Sequence, residues 1–164
     1  MQMKTYKWWI IVINLLLLLV YFAYSVASKE DLTKNGRLIL LELAPVDPRS
    51  LLQGDYMDLR YKISEEVNYQ NIPKNGYCVV TLNDKNIAKR VRFQPHKQAL
   101  NEGEYVIKYT TKNSWQINIG AESYFFQEGH AKKYEAAKYG GLRIDENGNS
   151  LLIGLYNEDL QKIE

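Results

Sequence analysis

Residues Trp8 to Val26 read WWIIVINLLLLLVYFAYSV, nineteen residues without a charged side chain. At 1.5 Å per residue, a helix of this length covers about 28 Å, which matches the hydrocarbon thickness of a bilayer. Two tryptophans lie at one end, and Tyr21 and Tyr24 lie near the other, which is the interfacial pattern of a spanning helix. The stretch therefore predicts a transmembrane helix at 8–26 in contact with the lipid bilayer.

Charges on either side of this stretch predict its orientation. Lys4 and Lys7 precede it, whereas Lys29-Glu30-Asp31 follows with a net negative charge. The positive-inside rule then places residues 1–7 in the cytoplasm and everything after the helix outside. We expect a single-pass protein of the cytoplasmic (inner) membrane with an extracytoplasmic, periplasmic domain. A cleaved signal peptide is the alternative, because Ser25-Val26-Ala27 has the small residues that a signal peptidase requires.

The composition beyond this helix excludes several classes of protein. The two lysines before the helix account for the formal net charge of +2, so the remaining domain is neutral and lacks the basic excess of a nucleic-acid-binding protein. Cys78 is the single cysteine and lies in an apolar run, which predicts a core thiol and no disulfide. His96 and His130 lie in polar surroundings far apart in sequence, so we expect neither a metal site nor a cofactor.

The rest of the chain predicts one small β-rich domain at 37–164, preceded by a linker or a frayed helical turn at 27–36. Short apolar stretches alternate with turn residues, a pattern typical of a barrel or sandwich. The predicted strands are Arg37–Leu43, Tyr56–Ile63, Tyr77–Leu82, Ile87–Phe93, Glu104–Thr110, Trp115–Ile119, Ser123–Gln127, Gly141–Asp145 and Ser150–Tyr156. Glu146-Asn147-Gly148-Asn149 indicates a hairpin between the last two strands. Glu128–Lys138 and the residues after Asn157 are candidates for short helices.

One motif stands out at the start of the second predicted strand. Gly54, Asp55, Tyr56, Leu59 and Tyr61 form G-D-Y-x-x-L-x-Y. With this motif the chain resembles the bacterial GDYXXLXY family of small membrane-anchored proteins. Further stretches also match the family: Leu40–Leu43 leading into P-V-D-P-R-S-L, Phe125–Gly129 with Tyr134-Glu135 and Tyr139-Gly140, and Leu151–Leu155. The family has no established activity; its members often occur beside, or fused to, multi-pass membrane proteins, which implies a multi-pass membrane protein as partner.

The motif also has a physical interpretation of its own. Alternation places Met57, Leu59, Tyr61 and Ile63 on one face of the strand, and the polar residues between them on the other. We therefore expect Leu59 and Tyr61 in the core. Gly54 suits a turn with positive φ, and Asp55 can cap that turn, with Arg49 as its nearest candidate partner.

Two hypotheses for this region remain open. In the first, the motif is a turn and a core strand that serve folding. In the second, it forms part of a binding surface. The residues proposed for the motif or surface are Asp47, Arg49, Gly54, Asp55, Tyr56, Leu59, Tyr61, Glu128, Gly129, Tyr134 and Glu135.

A second resemblance concerns catalysis. A membrane span followed by P-x-S-L-L-x-G-D-Y is similar to the membrane-bound signal peptidases, and Ile87–Val91 is similar to the strand that carries their lysine base. At the position of the nucleophilic serine this chain has Val46, and a Ser–Lys mechanism without that hydroxyl lacks its nucleophile. The resemblance therefore suggests a related β fold without that activity, and we assign no catalytic residue.

The sequence as a whole favours a non-catalytic binding or accessory module for a membrane partner. The alternatives are a hydrolase with a signal-peptidase-like β fold and a structural subunit of a membrane complex. Asn14 bears on the last of these, because a side-chain amide within hydrocarbon seeks a hydrogen-bonding partner on another helix.

Overall fold

The computed structural model describes residues 5–44, 56–65, 67, 72–112, 116–127 and 130–163. An N-terminal helix, α1 (Thr5–Asn35), precedes a β-rich domain. The strands are β1 (Arg37–Glu42), β2 (Tyr56–Asp58), β3 (Asn75–Leu82), β4 (Ala88–Gln94), β5 (Glu104–Lys112), β6 (Gln116–Asn118), β7 (Ser123–Phe125), β8 (Tyr139–Ile144) and β9 (Ser150–Tyr156), with a short helix α2 (Ala131–Tyr134) before β8. This mainly β fold with one long and one short helix confirms the predicted class.

Helix α1 is longer than its apolar stretch. Residues 28–35, for which the sequence predicted a linker or a frayed turn, continue the helix without a break. Their side chains support it locally: Lys34 pairs with Glu30 at 2.6 Å, and Asn35 donates to Asp31 at 2.6 Å. Both contacts join residues four apart, the spacing that stabilises helices. The helix ends at Asn35, and the amide of the next residue, Gly36, donates to the Leu32 carbonyl at 3.0 Å.

The strands form a curled half-barrel. Antiparallel pairs give the orders β1-β8-β9 and β4-β3-β5-β6, and β2 pairs with β7. A parallel bridge between Leu40 and Ile87 joins β1 to the start of β4, so the two larger sheets continue into one another. The β8–β9 hairpin also contacts the sheet that contains β5 and β6. The Gly148 carbonyl accepts from the Lys108 amide at 2.7 Å, and the Ser150 hydroxyl donates to the Ile119 carbonyl at 2.6 Å.

Apolar side chains from every sheet meet inside this curl. The largest fully buried ones include Ile39, Leu41, Ile107, Leu142 and Leu155. Ile39 and Leu41 lie two residues apart in β1, as do Cys78 and Val80 in β3, so the period-two pattern directs one face of these strands into a single core. Leu40 and Val79, on the opposite faces, are buried as well.

Two local predictions had different outcomes. The hairpin at 146–149 is confirmed: Asp145 accepts hydrogen bonds from the amides of Asn147 and Asn149, and Gly148 has a φ of +79°. The helix predicted at Glu128–Lys138 is confined to Ala131–Tyr134 in the described residues. It ends there because Lys138 already donates its amide to the Tyr156 carbonyl at 2.8 Å, at the start of the β8–β9 pairing.

Candidate functional site

The described part of the G-D-Y-x-x-L-x-Y motif, Tyr56 to Tyr61, is a core element together with Ile63. Met57, Leu59, Tyr61 and Ile63 are all buried, whereas Asp58, Arg60 and Lys62 are exposed. The alternation predicted from the sequence is thereby confirmed, although the regular strand ends at Asp58 and a single 3-10 turn begins at Lys62. The extended backbone between them preserves the side-chain alternation without a full ladder of hydrogen bonds.

Tyr61 connects the motif to the other matching stretches of the chain. Its hydroxyl donates to the Ala121 carbonyl at 2.5 Å, and its ring lies against Gly140. A Cβ on Gly140 would lie 2.8 Å from the Tyr61 ring, so only glycine leaves room for that ring. Burial, followed by the nearby charge of Glu122, raises the pKa of Tyr61 far above its ordinary value. The last tyrosine of the motif is therefore a neutral hydrogen-bond donor that fixes three segments of chain together.

The second matching block packs beside the motif as well. Met57 pairs with Tyr124 in the β2–β7 ladder, and the Tyr124 ring lies 5.2 Å from the ring of Tyr134. Phe126 lies 5.3 Å from Tyr134 on the other side. Burial and a hydrogen bond with Tyr134 raise the pKa of Tyr124 to about 12. Tyr134 is thus the centre of an aromatic cluster that holds α2 against the sheet.

The remaining predicted site residues divide into two groups. Glu135 is exposed, and Tyr56 pairs through its backbone with Phe125. Six predicted residues lie outside the described part of the chain: Asp47, Arg49, Gly54, Asp55, Glu128 and Gly129. The capping of the turn by Asp55 and its pairing with Arg49 therefore remain predictions.

A cleft lies beside the 3-10 turn that follows the motif, next to the end of β3 and the start of β4. It has a volume of about 540 Å³. Its lining combines apolar and charged side chains: Glu42, Lys62, Ile63, Thr81, Leu82, Asn83, Ile87, Ala88, Lys89 and Arg90. Lys62 and Ile63, directly after the motif, form one wall, and the start of β4 forms another.

Arg90 and Lys62 determine the chemistry of this cleft. Arg90 donates from Nη1 to the carbonyls of Ile63, at 2.5 Å, and Glu65, at 2.8 Å, and so ties β4 to the chain after the motif. Lys62 pairs with Glu42 at 3.0 Å, and this hydrogen bond raises the pKa of Lys62. The Lys89 side chain is exposed, and its ammonium has no hydrogen-bond or ion-pair partner among the described residues. The lining of the cleft thus combines apolar side chains with a net positive charge.

The sequence predicted β4 as the strand Ile87–Phe93 from its apolar pattern, but it suggested a functional role for this strand only through the resemblance to the lysine-bearing strand of signal peptidases. No sequence pattern indicated the hydrogen bonds of Arg90, because its partners are main-chain carbonyls, which every residue has. The pairing of Lys62 with Glu42 joins residues twenty apart and depends on the Leu43–Tyr61 bridge, which no local pattern reveals.

The other candidate groups lie away from the cleft. Cys78 is fully buried, and burial raises its pKa to about 12, so its thiol is a core group as predicted. His96 and His130 are both exposed. Within the described ranges no three His, Cys, Asp or Glu side chains are grouped as a metal would require.

Comparison with known proteins gives one result. The model of a protein family described as GDYXXLXY protein matches residues 18–155, from the apolar helix to the last strand. Neither a search of curated proteins nor a search of solved structures returned a match. Since the family model covers most of the chain, this protein belongs to the GDYXXLXY family.

Proposed function

We propose that this protein is a membrane-anchored accessory module, in which the β domain binds a multi-pass membrane protein of the same membrane. In this proposal α1 stays uncleaved as a single span of the cytoplasmic membrane, with its N-terminus in the cytoplasm and the domain outside. Lys7 before the apolar stretch and Glu30 and Asp31 after it support this orientation. The most apolar eighteen-residue stretch of α1 has a mean hydropathy of 2.5, and the helix is long enough to span a membrane.

One observation carries the proposal, namely the junction between α1 and the β domain. Arg143 donates to the Gly36 carbonyl at 2.6 Å, and the Arg37 guanidinium lies 4.7 Å from the centre of the Tyr105 ring. Leu32 is 8% exposed, and a Cβ on Gly36 would lie 3.1 Å from the Cβ of Arg143. The helix end therefore packs directly against the domain.

This junction restricts how far the domain can reach. Leu32 follows the last apolar residue of the span by six residues, or about 9 Å along the helix. A domain held at that distance lies at the level of the lipid headgroups, where its nearest partners are the external loops of other membrane proteins. A domain on a long disordered tether would sample a much larger volume.

The orientation can be tested by labelling single cysteines in the full-length protein. Cys78 is buried and serves as a silent background. A membrane-impermeant maleimide applied to spheroplasts should label Glu146→Cys, and it should label Lys7→Cys only after permeabilisation. The reverse pattern, or a mature N-terminus at Ser28, would contradict the proposed anchor.

The partner can be tested by crosslinking in native membranes, followed by purification in mild detergent. We expect a stoichiometric complex with a multi-pass membrane protein. Insertion of six Gly/Ser residues between Asn35 and Gly36 should reduce the yield of that complex, because it separates the domain from the helix end. The same insertion between Glu102 and Gly103 is the matched control, since Gly103 lies in an exposed turn with open space around it. A wild-type chain that purifies alone after crosslinking would refute the proposal.

A further inference from the structure

The polar residues of the apolar stretch lie on one side of the helix. Asn14 and Ser25 are the two polar residues between Trp8 and Val26 that are not aromatic. An α-helix turns by about 100° per residue, so Asn14, Tyr21 and Ser25 lie within about 20° of one line along its surface. The opposite side carries apolar residues only: Val12, Leu16, Leu19 and Ala23.

The same line continues to the β domain. Leu32 follows Asn14 by eighteen residues, which is five full turns, so both point in the same direction. Leu32 is the one buried side chain among residues 27–35, and α1 contacts the domain at β8 and β9. Leu32 therefore marks the side of α1 on which the domain lies, and Asn14 faces the region of membrane beneath that domain.

Asn14 requires a partner in this position. It lies about 5 Å from the middle of the apolar stretch, where water is absent. Its side chain is exposed, and its amide group has no hydrogen-bond partner within the described part of the chain. A side-chain amide in hydrocarbon is stabilised when another helix supplies a donor and an acceptor.

We infer that the side of α1 marked by Asn14, Tyr21 and Ser25 binds a transmembrane helix of a different membrane protein, which carries a Ser, Thr, Asn or Gln at the depth of Asn14. This inference rests on the proposed function, in which α1 remains a membrane span. It adds the face of the helix that is used and the chemistry of the partner.

A second copy of this chain does not fit the same face. Two spans with the same topology that met through Asn14 would be about 8–10 Å apart, and each would carry its domain on the side towards the other. A domain of this size has a radius of gyration of about 14 Å, so the two domains would occupy the same space above the membrane. A helix that ends near the membrane surface fits beneath the domain, and its external loop would contact it.

The test moves the amide without changing the composition of the span. The double substitution Asn14→Leu with Leu16→Asn keeps the hydropathy identical and rotates the amide by about 200°. We expect it to reduce the recovered complex by roughly 3- to 30-fold, the range expected for one interhelical hydrogen bond. Unchanged recovery would overturn the inference, provided that carbonate extraction shows normal insertion of the variant.

Photo-crosslinking identifies the face directly. A photoreactive amino acid at Leu18, next to the Asn14 line, should form an adduct with a transmembrane peptide of the partner, whereas the same group at Leu16 should not. Equal adducts from both positions, adducts from Leu16 alone, or adducts with a second copy of this chain would each overturn the inference. Absence of any adduct from either position, in protein shown to be inserted and able to form the complex, would overturn it while leaving the accessory role of the domain intact.

Alanine insertions between Ser28 and Lys29 test the alignment of the span with the domain. Two alanines rotate the domain by about 200° relative to Asn14, whereas four rotate it by only about 40° although they extend the helix further. We expect the two-residue insertion to lower recovery of the complex more than the four-residue insertion does. The opposite order would show that distance from the membrane, and not direction, controls binding.

Discussion

Leu17 in α1 and Leu41 in β1 have the same side chain in opposite surroundings. Leu17 is 65% exposed within the chain, whereas Leu41 is fully buried between sheets. Both lie in leucine-rich stretches of sequence. The difference shows that apolar residues here are either exposed along a helix long enough to span a membrane or buried in the interior of the half-barrel. Substitutions in the two regions should therefore affect different measurements.

The largest expected effect comes from truncating the core. Leu41→Ala should lower the free energy of unfolding of the domain by about 2–5 kcal/mol, because it removes buried methyl groups and leaves a cavity. Leu17→Ala is the matched control and should change it by less than about 0.5 kcal/mol. Urea unfolding of the full chain in detergent, followed by near-ultraviolet circular dichroism, measures both. Equal effects would show that α1 and the domain unfold as one unit.

A smaller effect is expected from the motif tyrosine. Tyr61→Phe should cost about 1–2 kcal/mol, because it leaves the buried Ala121 carbonyl without its donor while the ring still fills the space against Gly140. Tyr77→Phe is the control, since the Tyr77 hydroxyl has no partner among the described residues. If Tyr61→Phe left stability unchanged but weakened the membrane complex, the motif would serve binding and not folding.

The smallest effect on stability is expected from the ion pair between Arg92 in β4 and Glu104 in β5. Two hydrogen bonds of 2.5 and 2.9 Å join the guanidinium to the carboxylate. The Arg92 guanidinium holds the pKa of Glu104 at about 2, below its ordinary value of 4.5. Because the folded pKa is the lower one, the stabilisation is fully present above about pH 4.5 and is lost as the pH falls towards 2.

Glu104→Gln should remove this part of the acid dependence. Unfolding midpoints between pH 5 and about pH 2.5 should fall less steeply in this variant than in the wild type. Glu102→Gln, at an exposed position in the neighbouring turn, should follow the wild-type profile. An identical slope in all three proteins would show that the pair contributes nothing to stability.

Several features could be predicted from the sequence because they depend on residues that are close together in the chain. The nine strands follow from short apolar stretches separated by turn residues, and the burial of Leu59 and Tyr61 follows from alternation alone. The hairpin at 146–149 follows from its Asn-Gly pair. Residues 28–35 were harder to predict, because their polarity resembles that of a linker, and only their four-residue pairing supports a helix.

The cleft and the junction depend on contacts that are distant in sequence. Arg90 reaches carbonyls more than twenty residues away, and Arg143 reaches Gly36 from the far end of the chain. The acceptors of these bonds are main-chain carbonyls, so the residue types at the acceptor positions do not reveal them. Gly54 and Asp55, for which the sequence predicts a turn, lie outside the described residues, so the turn and its role in binding remain predictions.

By itself, the sequence determined an apolar helix long enough to span a bilayer, a β-rich domain and membership of the family. These follow from length, periodicity and a short motif, all of which are local properties of the chain. The tertiary structure decided which strands pair, why Gly140 must lack a side chain beside Tyr61, and on which side of α1 the domain lies. Those features depend on how surfaces fit across long separations, because shape and packing arise only after the chain has closed on itself.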